Sequence, residues 1–146
     1  MANFSEIPWI SAHIELYKSD PEKAQHWDSS ELGGPGILPT LLLTTVGRKS
    51  GEARLAPLIY GEHGDSFVII ASKGGMPNHP VWFLNLEANP NCEIQVGAKH
   101  FHVKARVATG EEREEIWSHM VGVYPPYVDY QANTSRTIPV VVLDPV

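Results

Sequence analysis

Apolar runs between Leu41 and Asn85 are cut by glycine-marked breaks. Leu41-Leu42-Leu43-Thr44-Thr45-Val46 stops at Gly47-Arg48-Lys49-Ser50-Gly51. A second run spans Leu55 to Tyr60, and a third, Phe67 to Ala71, stops at Ser72-Lys73-Gly74-Gly75. Short apolar runs bounded by turn residues predict β-strands. Carried along the chain, the pattern predicts six: 38–46, 53–62, 66–72, 92–97, 100–108 and 138–143. Glu62-His63-Gly64-Asp65 and Gly97-Ala98-Lys99 are compact turns that make hairpins of their flanks.

Elsewhere the period lengthens. Trp9, Ile10, Ala12, His13, Ile14, Leu16 and Tyr17 recur at three- and four-residue spacings, predicting an amphipathic helix over 8–19. Pro8 suits its first turn and Asp20-Pro21 its end. A short helical piece follows over 22–27. Residues 29–36, dominated by Gly and Pro, form a flexible connection with the composition of a lid. Pro80 and Asn89-Pro90 bracket another helix of about nine residues. Thr109-Gly110-Glu111-Glu112 is a capping-box pattern in which Thr109 caps the Glu112 amide. The helix it opens puts Ile116, Trp117, Met120 and Val121 on one side. A last short helix reaches Thr134. The sum is an α+β chain: a partly open β-barrel of mainly antiparallel strands with peripheral helices. Residues 1–36 form an N-terminal helical segment and connection, and 37–146 the barrel, within a single domain overall.

Composition narrows the partners. A chain of 146 residues buries a core without staples. Its one cysteine, Cys92, has no internal disulfide partner, which suits a reducing, cytoplasmic setting. Met1 to Asp20 has no basic leader followed by an unbroken apolar core, and no run approaches the roughly 20 apolar residues of a membrane span. The 8–19 helix reads as lying on the core. A peripheral contact with the inner face of a membrane is the sharper alternative, weakened by Lys18 being its one base. The formal charge of −6 is uneven: residues 40–106 carry two more bases than acids, and the remainder eight more acids than bases. An acidic exterior disfavours nucleic acid, while a basic island inside it suits a small anionic ligand.

The two broken turns supply such a site. Glycine lets backbone N–H groups converge on one oxygen, Ser adds a hydroxyl donor, and Lys or Arg adds charge. The pair therefore reads as a floor for the phosphate and acidic tail of a flavin-like cofactor. Neither a Walker A spacing nor a Gly-x-Gly-x-x-Gly fingerprint follows a strand. No Gly-x-Ser-x-Gly elbow is present. The seven histidines make no metal-ligand set, since His100 and His102 share a strand face without a third ligand. Cys92 reads as packing, as do Trp82, Phe83 and Trp117. Tyr124, Tyr127 and Tyr130, spaced by three, share a side, and read either as core or surface packing or as an aromatic wall tipped with hydroxyls. Such a wall stacks on a flat substrate while one hydroxyl donates a proton or hydrogen bond.

These blocks resemble one family. Leu43-Thr44-Thr45-Val46-Gly47-Arg48-Lys49-Ser50-Gly51 with Arg54 and Pro57-Leu58 are similar to segments of the deazaflavin-dependent nitroreductases. So are Ala71-Ser72-Lys73-Gly74-Gly75, His79-Pro80-Val81-Trp82-Phe83-Leu84-Asn85-Leu86, Ala88-Asn89-Pro90 and Arg136-Thr137-Ile138-Pro139-Val140-Val141. The resemblance implies a split β-barrel related to FMN-binding oxidoreductases. It implies coenzyme F420 as cofactor, a deazaflavin with a phosphate and an oligoglutamate tail, and hydride transfer to a small-molecule acceptor. Cofactor contacts carry over to Arg48, Lys49, Ser50, Arg54 and Pro57, to Ser72, Lys73, Gly74 and Gly75, and to Trp82 and Asn85. The tyrosines that line the family's acceptor pocket match Tyr124, Tyr127 and Tyr130. Quinones, enones and nitroaromatics are the acceptor classes implied, with Ile at position 59 where some members carry an aromatic. An FMN enzyme of the same fold and a non-catalytic ligand carrier are the alternatives.

Overall fold

The structure is a computed structural model that describes residues 8–30 and 36–146. In chain order the elements are α1 (Pro8–Ser19), α2 (Pro21–Gln25), β1 (His26–Asp28), β2 (Ile37–Val46), β3 (Ala53–Ile59), β4 (Gly61–His63) and β5 (Ser66–Ile70). A single 3-10 turn (Lys73–Gly75) precedes α3 (Val81–Ala88), β6 (Asn91–Val96), β7 (Lys99–Val107), α4 (Gly110–Val123), α5 (Tyr127–Ala132) and β8 (Val140–Pro145). The strands make one antiparallel sheet in the order β1-β2-β6-β7-β8-β5-β4, with β3 on the other side of β2. Curled, this is the split barrel of an α+β chain. The split lies between β3, which pairs with β2, and β4, which pairs with β5.

Burial explains which strands are apolar throughout. Leu41 and Leu43 of β2 face the barrel interior with Phe67, Ile69, Ile94, Val103, Val141 and Leu143. Leu42 faces outward and is covered by Ile10, Ile14 and Tyr17 of α1. Likewise Val68, Ile70, Val140 and Val142 point outward beneath Ile116 and Met120 of α4. Strands covered on both faces lose the polar alternation that an exposed face imposes. The β6–β7 hairpin keeps it: Ile94 and Val103 are buried while Glu93, His102 and Lys104 are exposed. α3 plugs one end of the barrel, since Trp82, Phe83 and Leu86 all join the interior cluster.

Three sequence expectations are corrected. The strand expected over 53–62 breaks at Tyr60, whose N–H still bonds Pro39 O (3.2 Å) before the chain leaves β2 for β5. Gly61 makes that corner because a Cβ there would meet Met120 Sδ at 2.6 Å. Helix over 22–27 ends at Gln25, and His26–Asp28 pair with β2 instead. Thr109 makes no side-chain cap. Glu112 is held by Arg106, at 2.5 and 3.0 Å, and Arg106 also binds Asp144 at 2.7 Å. The charge-assisted fork takes the carboxylate that the reciprocal half of the capping box would need. The connection over 29–36 falls largely outside the described residues.

The membrane alternative for α1 finds no support. Its apolar side is spent on the sheet, and half-exposed Trp9 stacks on Trp27 at 5.7 Å. No helix among the described residues is long and apolar enough to cross a membrane.

Buried acids set an alkaline limit on this fold, Tyr17 and Cys92 among them. Burial lifts Tyr17, whose hydroxyl donates to Thr40 O, from 10.0 to about 12, and Cys92 from 9.0 to about 12. Both keep their protons folded where the unfolded chain releases them. Stability is therefore whole below pH 9.0 and falls as pH climbs toward 12. Denaturant midpoints across that interval should decline, and Cys92→Ala should remove the loss that begins before Tyr17 contributes. A flat midpoint in wild type would show that neither burial matters to folding.

Candidate functional site

Both basic turns sit at the barrel end that α3 plugs. The first, Gly47 to Gly51, joins β2 to β3. Gly47 N–H donates to Glu52 O and Gly51 N–H to Gly47 O, each at 2.8 Å. A Cβ on Gly47 would lie 2.6 Å from Ser50 Oγ, so only glycine lets the turn close this tightly. Asn85, 2% exposed, ties the turn to α3: Arg48 N–H donates to its Oδ1 at 3.1 Å, and its Nδ2 donates to Thr45 Oγ1 at 3.1 Å. The N–H groups of Lys49 and Ser50 have no partner among the described residues. Arg48 and Lys49 are exposed, and Arg54 leans on Ser50 Oγ (3.3 Å) and Glu52 (3.4 Å). An exposed pair of this kind holds about 0–1 kcal/mol, little enough for an incoming anion to displace Glu52.

The second turn, Ser72 to Gly75, leaves β5. Lys73, Gly74 and Gly75 have φ of 47°, 62° and 79°, three left-handed residues in succession. Gly75 N–H donates to Ser72 O (2.9 Å) and Met76 N–H to Lys73 O (3.1 Å). Those bonds leave the N–H groups of Lys73 and Gly74 without a partner among the described residues, on the exposed side of the turn. Successive amides left free beside a lysine form a concave anion nest. α3 joins the two turns: His79, just before it, meets Arg136, which binds the second turn, and Asn85 holds the first. One helical turn, roughly 6 Å, separates Val81 from Asn85.

The tyrosines close one side. Tyr124 follows α4, and Tyr127 and Tyr130 lie on α5, with ring centroids 5.0, 6.1 and 6.3 Å apart. The Tyr124 and Tyr130 hydroxyls share a hydrogen bond of 2.9 Å. Burial, then the Tyr130 hydroxyl, pushes Tyr124 up to about 12, and deeper burial raises Tyr127 further. The wall abuts the second turn, since a Cβ on Gly75 would strike Tyr130 O at 2.7 Å.

The sequence-derived residues thus separate into two layers. Arg48, Lys49, Ser50, Arg54, Ser72, Lys73, Gly74, Tyr124 and Tyr130 reach the surface of one end, while Trp82, Asn85, Gly75 and Tyr127 are buried beneath it. Pro57 belongs to neither layer: it is buried in mid-β3 opposite the outward-facing Leu42, away from the turns. A residue the motifs did not assign to the site is Arg136, half-buried behind the second turn, where desolvation lowers its pKa. Of two surface recesses of about 340 and 570 Å³, the first lies at the opposite barrel mouth, and the second runs along β2, β6 and β7 and reaches Gly51 of the first turn. Glu22 and Glu62 outnumber Lys99 around the first, and Glu93 stands beside His102 in the second, so neither gathers the bases that the turns do. Chemistry, rather than concavity, selects the turns.

The profile of the F420H(2)-dependent quinone reductase family matches residues 18–145. An F420H(2)-dependent quinone reductase of Mycobacterium tuberculosis is 44% identical over 112 residues, 75% of each chain. Among solved structures, an F420-H2 dependent reductase is 45% identical, with a TM-score of 0.68 over 73% of this chain and 94% of that one. A chain solved as a domain-swapped dimer is 37% identical, with a TM-score of 0.71 over 94% and 98%.

Proposed function

The chain belongs to the F420H(2)-dependent quinone reductase family, and from that premise we propose that its two basic turns hold reduced coenzyme F420 beside a tyrosine wall that receives a quinone. One observation carries the reading: two cationic turns with free amides flank one helix at one barrel end, next to three clustered tyrosines. The residues fit a polyanion. The free N–H groups of Lys73 and Gly74 suit a phosphate oxygen, and Lys49, Arg48 and Arg54 suit carboxylates further along. Bound there, the deazaflavin supplies a hydride from C5. The chain's own part is to orient the acceptor against Tyr124, Tyr127 and Tyr130 and to provide a proton to the oxygen that gains charge. A quinone gains one hydride to become the hydroquinone monoanion, and one proton completes the hydroquinone. Enones and nitroaromatics need the same hydride and proton, so the wall accommodates them in principle of chemistry.

The cofactor's intrinsic fluorescence makes the reading testable. Lys49→Ala should weaken F420 affinity roughly tenfold, the worth of one charge-assisted contact. Wild type should bind F420 at micromolar concentration and oxidise F420H2 when menadione is added. An unchanged Kd for the variant would remove Lys49 from the site, and no binding by wild type would end the reading. No observation favours FMN or a carrier role; a yellow protein as isolated would revive the first, and tight binding without turnover the second.

A further inference from the structure

The left-handed run at the second turn needs a restraint. Lys73 has a Cβ, and a non-glycine residue at φ 47° is strained. Strain of that kind persists where surrounding contacts over-determine the backbone. Arg136 supplies them from the far side of the chain. Its NH2 donates to Ser72 O at 2.6 Å, its NH1 to Ala71 O at 3.1 Å, and its Nε to Met76 O at 2.9 Å. NH1 also lies 3.1 Å from His79 Nδ1. A guanidinium has no acceptor, so His79 Nδ1 carries the lone pair and its proton sits on Nε2. The carbonyls before and after the left-handed run are thereby pinned to one rigid fork, as is the residue that leads into α3. Arg136 is itself fixed: Gln131 of α5 donates to Arg136 O at 2.8 Å and accepts from Ile138 N–H at 2.9 Å.

We propose that Arg136 is a positioning residue that holds the Ser72–Met76 turn in its anion-binding conformation before any cofactor arrives. It acts through the turn, because four of its N–H contacts are spent on Ala71, Ser72, Met76 and His79. Planarity matters as much as charge. A lysine ammonium keeps the charge and loses the fork, so it cannot reach acceptors spread over six residues of backbone at once. The proposal rests on the reading that this turn binds F420, and it adds a property of the cofactor-free protein.

The test compares Arg136→Lys with wild type well below both melting temperatures. Without cofactor, amide exchange at Gly75 and Met76, which report the turn's own hydrogen bonds, should quicken at least tenfold. The F420 Kd should rise roughly tenfold, with the acceptor KM and kcat at saturating cofactor changed far less. A purely structural role would lower Tm and leave exchange and Kd as they were. Unchanged exchange or unchanged Kd in a folded Arg136→Lys overturns the proposal. Should that variant fail to fold, His79→Phe, which removes one partner of the fork, replaces it, with a two- to threefold effect expected on both readouts and no effect overturning the proposal. Lys73→Ala separates the two ideas. If it leaves F420 affinity untouched, the turn is not the cofactor site, whatever exchange shows. If it weakens binding while Arg136→Lys does not, only the role of Arg136 falls.

Discussion

Gly75→Ala is expected to cost the protein far more than Gly74→Ala, although the two are neighbours in one turn. Both have positive φ, +79° and +62°, so alanine is strained at either. That strain is about 1–2 kcal/mol. At Gly74 nothing lies within 4 Å of the new Cβ, and the strain is the whole cost. At Gly75 the Cβ meets Tyr130 O at 2.7 Å, Cα at 2.9 Å and C at 3.2 Å. These are backbone atoms of a helix packed over a core, and they cannot swing aside as a side chain tip would. Overpacking adds about 1–3 kcal/mol, so the total approaches 2–5 kcal/mol, a large share of an ordinary domain's stability. Relief comes only by parting the second turn from α5, which separates the cofactor floor from the tyrosine wall. Denaturant midpoints should fall for both variants and much further for Gly75→Ala. At temperatures where it remains folded, Gly75→Ala should also lose F420H2 oxidation disproportionately to F420 binding. Equal losses in the two variants would mean that the turn and α5 do not depend on this close approach.

That contact marks the boundary of what the sequence disclosed. Residues 8–19 form α1 as expected, because Pro8 and Asp20-Pro21 punctuate it within its own neighbourhood. The two turns were visible for the same reason: glycine, serine and base stand side by side. Failures came where the deciding partner is remote. Nothing local in 53–62 announces that the chain abandons β2 at Tyr60, since Ile59 and Val68 stay covered by the outer helices on either side of the corner. The capping box at Thr109 is a sound local signal overridden by Arg106 and Asp144, the latter 38 residues from the former. Arg136 stands within a block that resembles the family, and nothing beside it in the sequence gives it a role. Its partners lie 57 to 65 residues away, and three of the four are backbone carbonyls, which leave no mark on a sequence. Asn85 illustrates the intermediate case: the resemblance puts it near the site, while its burial, which makes it a support between α3 and the first turn, follows from the packing of α3 into the barrel end.

Tyr130→Phe is expected to lower turnover on the order of a hundredfold, and Tyr124→Phe about tenfold, within the usual range for one positioned proton donor. The asymmetry follows from place. The backbone of Tyr130 abuts the second turn at Gly75, and on that ground Tyr130 is assigned as the donor and Tyr124 as its support. Tyr124 reaches the reaction through the 2.9 Å bond between the two hydroxyls. That pair holds two protons and uses one between its own oxygens, so one is always free to point toward an acceptor. With Tyr124 raised to about 12, it stays protonated at neutral pH and can keep its hydrogen bond to the Tyr130 oxygen as Tyr130 gives up its proton. Groups acting in series are not additive. The double variant should therefore turn over no more slowly than Tyr130→Phe alone, with the F420 Kd unchanged in all three. Phenylalanine keeps the rings in their cluster, so the substitutions test the hydroxyls and spare the packing. A kcat unaltered in Tyr130→Phe would deny it the donor role, and losses that multiply in the double variant would show two independent contacts where the structure supports one coupled pair.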